Sequence, residues 1–224
     1  MPSIRFDAGS PADHPRECVS LVHGFLANKY MLSVLGSRLR SHGYLTDAWG
    51  YWNMRCSLLV HADRFARELQ VLDAEPRIET IHLVTHSMGC IIARAALDRF
   101  MPRKMGRFVM LAPPNRGSFV ATATAGTFGR LLKPVAELST ACDSLVNSLP
   151  TPVGVDIGVI AAEYDALITA ESTHPSVPHA HVTLPTWHTG LIFKKETADL
   201  VAGFLATGAF PEGGQAPGQH PGAP

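Results

Sequence analysis

The chain has 224 residues, enough for one full α/β domain with a sizeable core. Hydrophobic residues make up 46% and charged residues 17%, and 19 Lys and Arg balance 19 Asp and Glu, which gives no electrostatic case for nucleic acid or an anionic membrane as partner. No apolar run reaches the roughly 18 residues of a membrane-spanning helix, and Met1 to Asp7 lack a basic stretch followed by an apolar one, so a cytoplasmic chain without signal peptide or stable membrane insertion is expected.

Val19-Ser20-Leu21-Val22 reads as a buried strand, followed by His23-Gly24-Phe25 as a turn. Lys29 to His42 has helical spacing, with Met31, Leu32, Leu35 and Leu39 on one face and Gly43 as a stop. Tyr44 to Trp49 is a second strand. Ser57 can cap a helix running through His61, Phe65, Leu69 and Leu72. Ile81 to Val84 is a third strand, Cys90 to Phe100 a helix rich in small and apolar residues, and Arg107 to Leu111 a fourth strand. Ile157 to Ala161 and His181 to Leu184 complete the strands, and Lys195 to Ala206 is the closing helix. Strand-helix alternation of this kind predicts an α/β fold, a mostly parallel sheet with helices on both faces.

The segment between Gly117 and Val155 breaks the rhythm, being too long for a plain connection. It holds helix-compatible stretches, Ala121 to Leu132 and Pro134 to Leu149, and reads as a helical lid inserted over about residues 117–154. The tail from Gly208 to Pro224 is rich in Gly and Pro and is expected to be disordered, which leaves a single domain over 1–207. The four cysteines, Cys18, Cys56, Cys90 and Cys142, lie far apart with no C-x-x-C spacing, as expected of free thiols in a reducing compartment.

Chemistry concentrates at Thr85-His86-Ser87-Met88-Gly89, between a strand and a helix. A serine hydroxyl is a weak nucleophile, and it gains reactivity when a sharp strand-to-helix turn lifts it beside a base and beside backbone N–H donors. The pentad departs from G-x-S-x-G at its first position, where Thr85 stands for glycine; Gly89 is kept, and Ala93 lies one turn on. The base should follow a strand, because functional groups of open α/β sheets collect beyond the strands' carboxyl ends. His188 does so. His23 does too, but its turn has another use, and His86 should point away from the serine. His42, His61 and His82 fall within helices or a strand.

The acid that orients the base should follow the preceding strand, where Glu163-Tyr164-Asp165 stands. Asp165 and Glu163 both qualify, with Glu171 a weaker third; Asp165 lies deeper in the loop, before Ala166-Leu167-Ile168, which could pin it. The chain order Ser87, Asp165, His188 is that of the α/β-hydrolases. An oxyanion hole needs two converging amides. Met88 N–H, after the nucleophile, and Phe25 N–H, in the turn after the first strand, fit that need.

Around these residues the chain resembles the α/β-hydrolase superfamily, and more narrowly small bacterial lipases and esterases. Val22-His23-Gly24-Phe25 resembles their oxyanion loop, Val84 to Gly89 their A-H-S-M-G or G-H-S-M-G elbow, and Met110 to Ser118 their L-G-T-P-(H/N)-x-G-S segment. Tyr164 to Ile168 is similar to their acid loop, although many relatives have Asp-Gly-x-Val there, and Trp187 to Leu191 is similar to their histidine loop. The likeness spans about residues 18 to 206.

What it implies is an α/β-hydrolase fold with a short helical lid and a Ser-His-Asp triad that cleaves small-molecule or lipid carboxylic esters without metal or organic cofactor. Phe119, Phe128, Leu131 and Leu132 of the lid could bind an acyl or aryl chain. Acyl transfer and thioester hydrolysis use the same triad. A non-catalytic binding protein on this fold usually lacks a triad member, whereas all three are present here. His174, His179 and His181, with Glu171 nearby, match no common zinc spacing.

Overall fold

The computed structural model describes residues 16–25, 27–51, 56–117 and 145–211. Six strands form one sheet: β1 (Glu17–Val22), β2 (Leu45–Trp49), β3 (Thr80–His86), β4 (Met105–Leu111), β5 (Ile157–Ala162) and β6 (Ala180–Leu184). All pair in parallel, in the order β2-β1-β3-β4-β5-β6. Between them lie α1 (Ser33–Ser41), entered through a 3-10 turn at Lys29–Leu32, α2 (Leu58–Ala74), α3 (Met88–Arg99) and the one-turn α4 (Leu145–Ser148), and α5 (Lys195–Thr207) follows β6.

Each strand divides its side chains between two layers, because successive residues point to opposite faces. Cys18 and Val22 of β1, Ile81 and Leu83 of β3, and Phe108 and Met110 of β4 join Phe65, Leu69 and Leu72 of α2 and Ile91 and Ile92 of α3 in one core. Val19, Leu21, Val84, Val109, Leu111 and Ile160 point the other way, into a second core with Leu35 and Leu39 of α1 and Val201, Phe204 and Leu205 of α5. Phe65, Phe108 and Phe204 are fully buried, and truncating such a ring typically costs about 3–5 kcal/mol.

The six expected strands are present; all run slightly longer than expected except β2, which begins at Leu45 rather than Tyr44. β3 continues through Thr85 and His86 because both stay in register, opposite Met110 and Leu111 of β4. Ser57 caps α2 as expected, its hydroxyl accepting from Leu59 N at 3.2 Å. The chain leaves β1 for the β2 edge, then returns to the other side of β1 as β3. The crevice beyond the carboxyl ends of β1 and β3 is therefore the point where connections diverge, the usual ligand position in such sheets. Most of the expected insertion at 117–154, Cys142, and nearly all of the tail lie outside the described residues.

Candidate active site

Ser87 sits at that crevice, between β3 and α3, with φ 54° and ψ −125°. A positive φ is costly for a residue with a β-carbon, and the neighbours enforce it. Ser87 N donates to Leu111 O at 2.9 Å, and Ser87 O accepts from Cys90 N at 2.9 Å, as α3 begins. Gly89 is a close-approach glycine: a β-carbon there would stand 2.6 Å from His23 O and 2.7 Å from Val22 O. Any side chain would push α3 off the end of β1. Thr85, where the elbow pattern has glycine, is buried, and its hydroxyl has no hydrogen-bond partner among the described residues.

The turn after β1 is held by an aromatic clamp. Tyr51 Oη donates to His23 O at 2.7 Å, and the two rings stack with centroids 4.2 Å apart and planes 6° from parallel. Burial lowers the His23 pKa, so its ring is neutral near pH 7. Nδ1–H then donates to Gly24 O at 2.9 Å, and Nε2 accepts the longer 3.4 Å contact from Tyr51 N. Gly24 and Phe25 follow directly. Met88 is the first residue of α3, where amides lack intrahelical acceptors. Neither Phe25 N–H nor Met88 N–H donates to another described group.

The acid and the base meet across the loops that follow β5 and β6. His188 Nδ1 donates to Asp165 Oδ2 at 2.6 Å, with the two side chains only 3% (Asp165) and 10% (His188) exposed. Asp165 Oδ1 accepts from Leu167 N at 2.9 Å and Ile168 N at 3.0 Å. Burial alone would raise this carboxyl's pKa. The His188 bond and charge and the two amides outweigh burial, and the net shift is downward. The apolar residues after Asp165 thus pin it through their backbone rather than their side chains. The two loops are also zipped to each other, Tyr164 N donating to Thr186 O at 3.0 Å and Glu163 N to Leu184 O at 2.9 Å.

Glu163 is exposed, and Glu171 is ion-paired with Arg116 at 3.5 Å; of the three carboxylates weighed from sequence, Asp165 is the one that touches His188. Among the described residues no hydrogen bond joins Ser87 Oγ to His188. Such contacts are commonly loose without substrate and tighten on binding.

No family profile matches the chain, and no curated protein matches it in sequence. Solved structures do match in shape. The chain superposes on the mature lipase BlEst2 of Bacillus licheniformis with TM-score 0.69 at 16% identity, over 89% of this chain and 96% of that one. A carboxylesterase of the thaumarchaeon Nitrososphaera gargenis matches with TM-score 0.63 at 16% identity, over 93% and 94%. The phospholipase PlaB of Legionella pneumophila matches with TM-score 0.64 at 17% identity, over 86% of this chain and 57% of that one. The chain has the α/β-hydrolase fold.

Seen within the hydrolase fold, several further groups stand close to the crevice. His86 does not simply point away from the site. It is buried, Nε2 lies 3.2 Å from His188 O, and its ring centroid is 4.8 Å from that of His188. Arg94, the one charge in the run Cys90 to Leu97 of α3, is also buried: it donates from Nη1 to Asn115 Oδ1 at 3.1 Å, from Nε to Pro150 O at 3.4 Å and from Nη2 to Leu149 O. Asn115 Nδ2 passes this on to Thr173 O at 2.8 Å, at the far end of the acid loop. Sequence reasoning weighed His86 only as a base and set it aside, and it missed Arg94, although that residue is the one charge in the run Cys90 to Leu97.

The three histidines before and within β6 do cluster. His174 Nδ1 and His179 Nε2 are 2.9 Å apart, and His174 stacks on His181 at 4.2 Å. Burial, then the charges of His174 and His179, press the His181 pKa down to about 4. Among the described residues no group of three or more His, Cys, Asp and Glu is arranged to hold a metal ion. Cys18, Cys56 and Cys90 are free, and burial raises the Cys18 and Cys90 thiols to about 12, too high for thiolate chemistry near neutral pH. No described helix is long and apolar enough to cross a membrane. Phe119, Phe128, Leu131 and Leu132 lie outside the described residues.

Proposed function

We propose that the chain is a serine hydrolase of carboxylic esters, with Ser87 as nucleophile, His188 as base and Asp165 as orienting acid. The observation that carries this reading is the buried Asp165–His188 pair at 2.6 Å, set beyond the same sheet edge as a serine held at positive φ. His188 removes the Ser87 proton as Oγ attacks the ester carbonyl. Asp165 fixes the tautomer with the proton on Nδ1 and stabilises the imidazolium that forms. The amides of Phe25 and Met88 receive the oxyanion, assisted by the positive end of α3. His188 returns the proton to the departing alcohol, and water, activated by the same base, frees the acid from Ser87.

Exposed Tyr164, Leu167 and Trp187 flank the acid and the base and give an apolar approach suited to an uncharged ester. The likeness in shape to lipase, carboxylesterase and phospholipase structures supports the same substrate class. Hydrolysis of a p-nitrophenyl ester series from acetate to palmitate tests the reading. Turnover by the wild type that Ser87→Ala abolishes is expected, and the chain-length optimum separates esterase from lipase. Turnover confined to thioesters would replace the substrate class while keeping the triad.

A further inference from the structure

We propose that His86 is a positioning residue for His188: its Nε2–H holds the backbone of the base while Asp165 holds the ring. The inference rests on the reading of His188 as base. His86 ends β3 and shares a face with Val84, which belongs to the core covered by α1 and α5. The turn His188–Ile192 leads into α5, and its Leu191 and Ile192 belong to that core too. The residue before the nucleophile is thus directed at the histidine loop by strand alternation alone.

Its chemistry is fixed by its neighbours. A carbonyl only accepts, so the 3.2 Å contact to His188 O requires the proton on Nε2. Burial, then the charge on His188, push the His86 pKa down to about 3, so the ring is neutral and Nδ1 unprotonated at working pH. Nδ1 has no partner among the described residues, and a β-carbon on Gly24 would lie 3.2 Å from it. The ring is therefore wedged between the oxyanion turn and the base. A neutral donor suits that place: a second imidazolium 4.8 Å from His188 would oppose the charge the base must take up.

The test compares His86→Phe, which keeps a ring and loses the donor, with His86→Gln, whose amide nitrogen can reach where Nε2 lies. The His188 Nδ1 proton, bonded to Asp165, is followed by NMR as a far-downfield resonance that needs no turnover. Ester hydrolysis is measured per active site titrated with a fluorophosphonate. In His86→Phe the resonance is expected to weaken and move upfield, and kcat to fall about 10²-fold at nearly constant KM, as for a displaced catalytic group. His86→Gln is expected to keep the resonance and stay within about threefold of wild-type kcat, since the donor is restored. If His86→Phe does not fold, His86→Asn takes its place, its amide too short for the carbonyl.

A donor-less variant with wild-type resonance and kcat would overturn the proposal. So would His86→Gln falling as far as His86→Phe. A wild type that carries the resonance but is not labelled at Ser87 would overturn the hydrolase reading, while the resonance comparison still decides the positioning role.

Discussion

Gly24 lies so close to Ser87 that a β-carbon on the glycine would stand 2.9 Å from the serine's own, and 3.2 Å from His86 O. Neither neighbour can yield, because Ser87 is fixed by its backbone bond to Leu111 and His86 lies in the β3 ladder. The oxyanion turn would have to move instead. Gly24→Ala is therefore expected to lower kcat by about 10²-fold, the loss seen when one oxyanion donor is removed, with KM little changed. Steady-state kinetics beside a thermal melt check it: a large fall in Tm with normal kcat would place the effect in folding.

Asp165 carries a pH prediction. Its pKa in the fold lies below the unfolded value of about 3.9, so the ionised carboxylate stabilises the protein at pH above that value. The contribution is lost as pH falls through the lower, folded pKa. Asp165→Asn cannot titrate, and its stability is expected to fall less steeply than that of the wild type below about pH 4. The same change removes the acceptor that sets the His188 tautomer, and kcat near neutral pH is expected to drop by about 10⁴. Denaturant titrations at several pH values and esterase kinetics measure the two effects separately.

Thr85 buries a hydroxyl with no described partner. Replacing such a group by an apolar one of the same shape removes a desolvation cost. Thr85→Val is expected to raise stability by up to about 1 kcal/mol with kcat unchanged, as urea unfolding and ester kinetics would show. A loss of stability would mean that the hydroxyl is satisfied in solution.

Arg94 ties α3 to Asn115, Leu149 and Pro150. Burial lowers its pKa only to about 10, so it stays charged at pH 7. Arg94→Met leaves the buried Asn115 Oδ1 without its donor, as well as the less buried Leu149 and Pro150 carbonyls, and is expected to cost about 1–3 kcal/mol. Arg94→Lys is expected to recover little of this, since one ammonium cannot reproduce the planar fork. Equilibrium unfolding of the two variants checks both statements.

Much of this was legible in the chain because the strands are short apolar runs and the elbow lies between a strand and a helix. The rule that functional groups follow strands singled out Ser87, Asp165 and His188 as candidates, and each does stand just after a strand. Asp165 was preferred to Glu163 for its place before Ala166-Leu167-Ile168, while the means of holding it, the Leu167 and Ile168 amides, was not legible, since it depends on how the backbone turns back to the carboxylate. His86 was expected to point away from Ser87, yet its ring meets the backbone of His188, 102 residues on, a contact invisible to any local pattern. Tyr51 and Arg94 escaped notice for the same reason: their partners are distant in sequence. The expected acyl-chain residues fall outside the described structure and remain proposals.

The most direct test of the central claim is labelling of the intact protein with a fluorophosphonate, read by mass spectrometry, beside p-nitrophenyl ester turnover of wild type and Ser87→Ala. The account predicts one phosphonyl adduct on Ser87, and a loss of turnover in the variant on the order of 10⁶ if the triad acts as a unit. No adduct, an adduct on another residue, or equal turnover by the two proteins would contradict it.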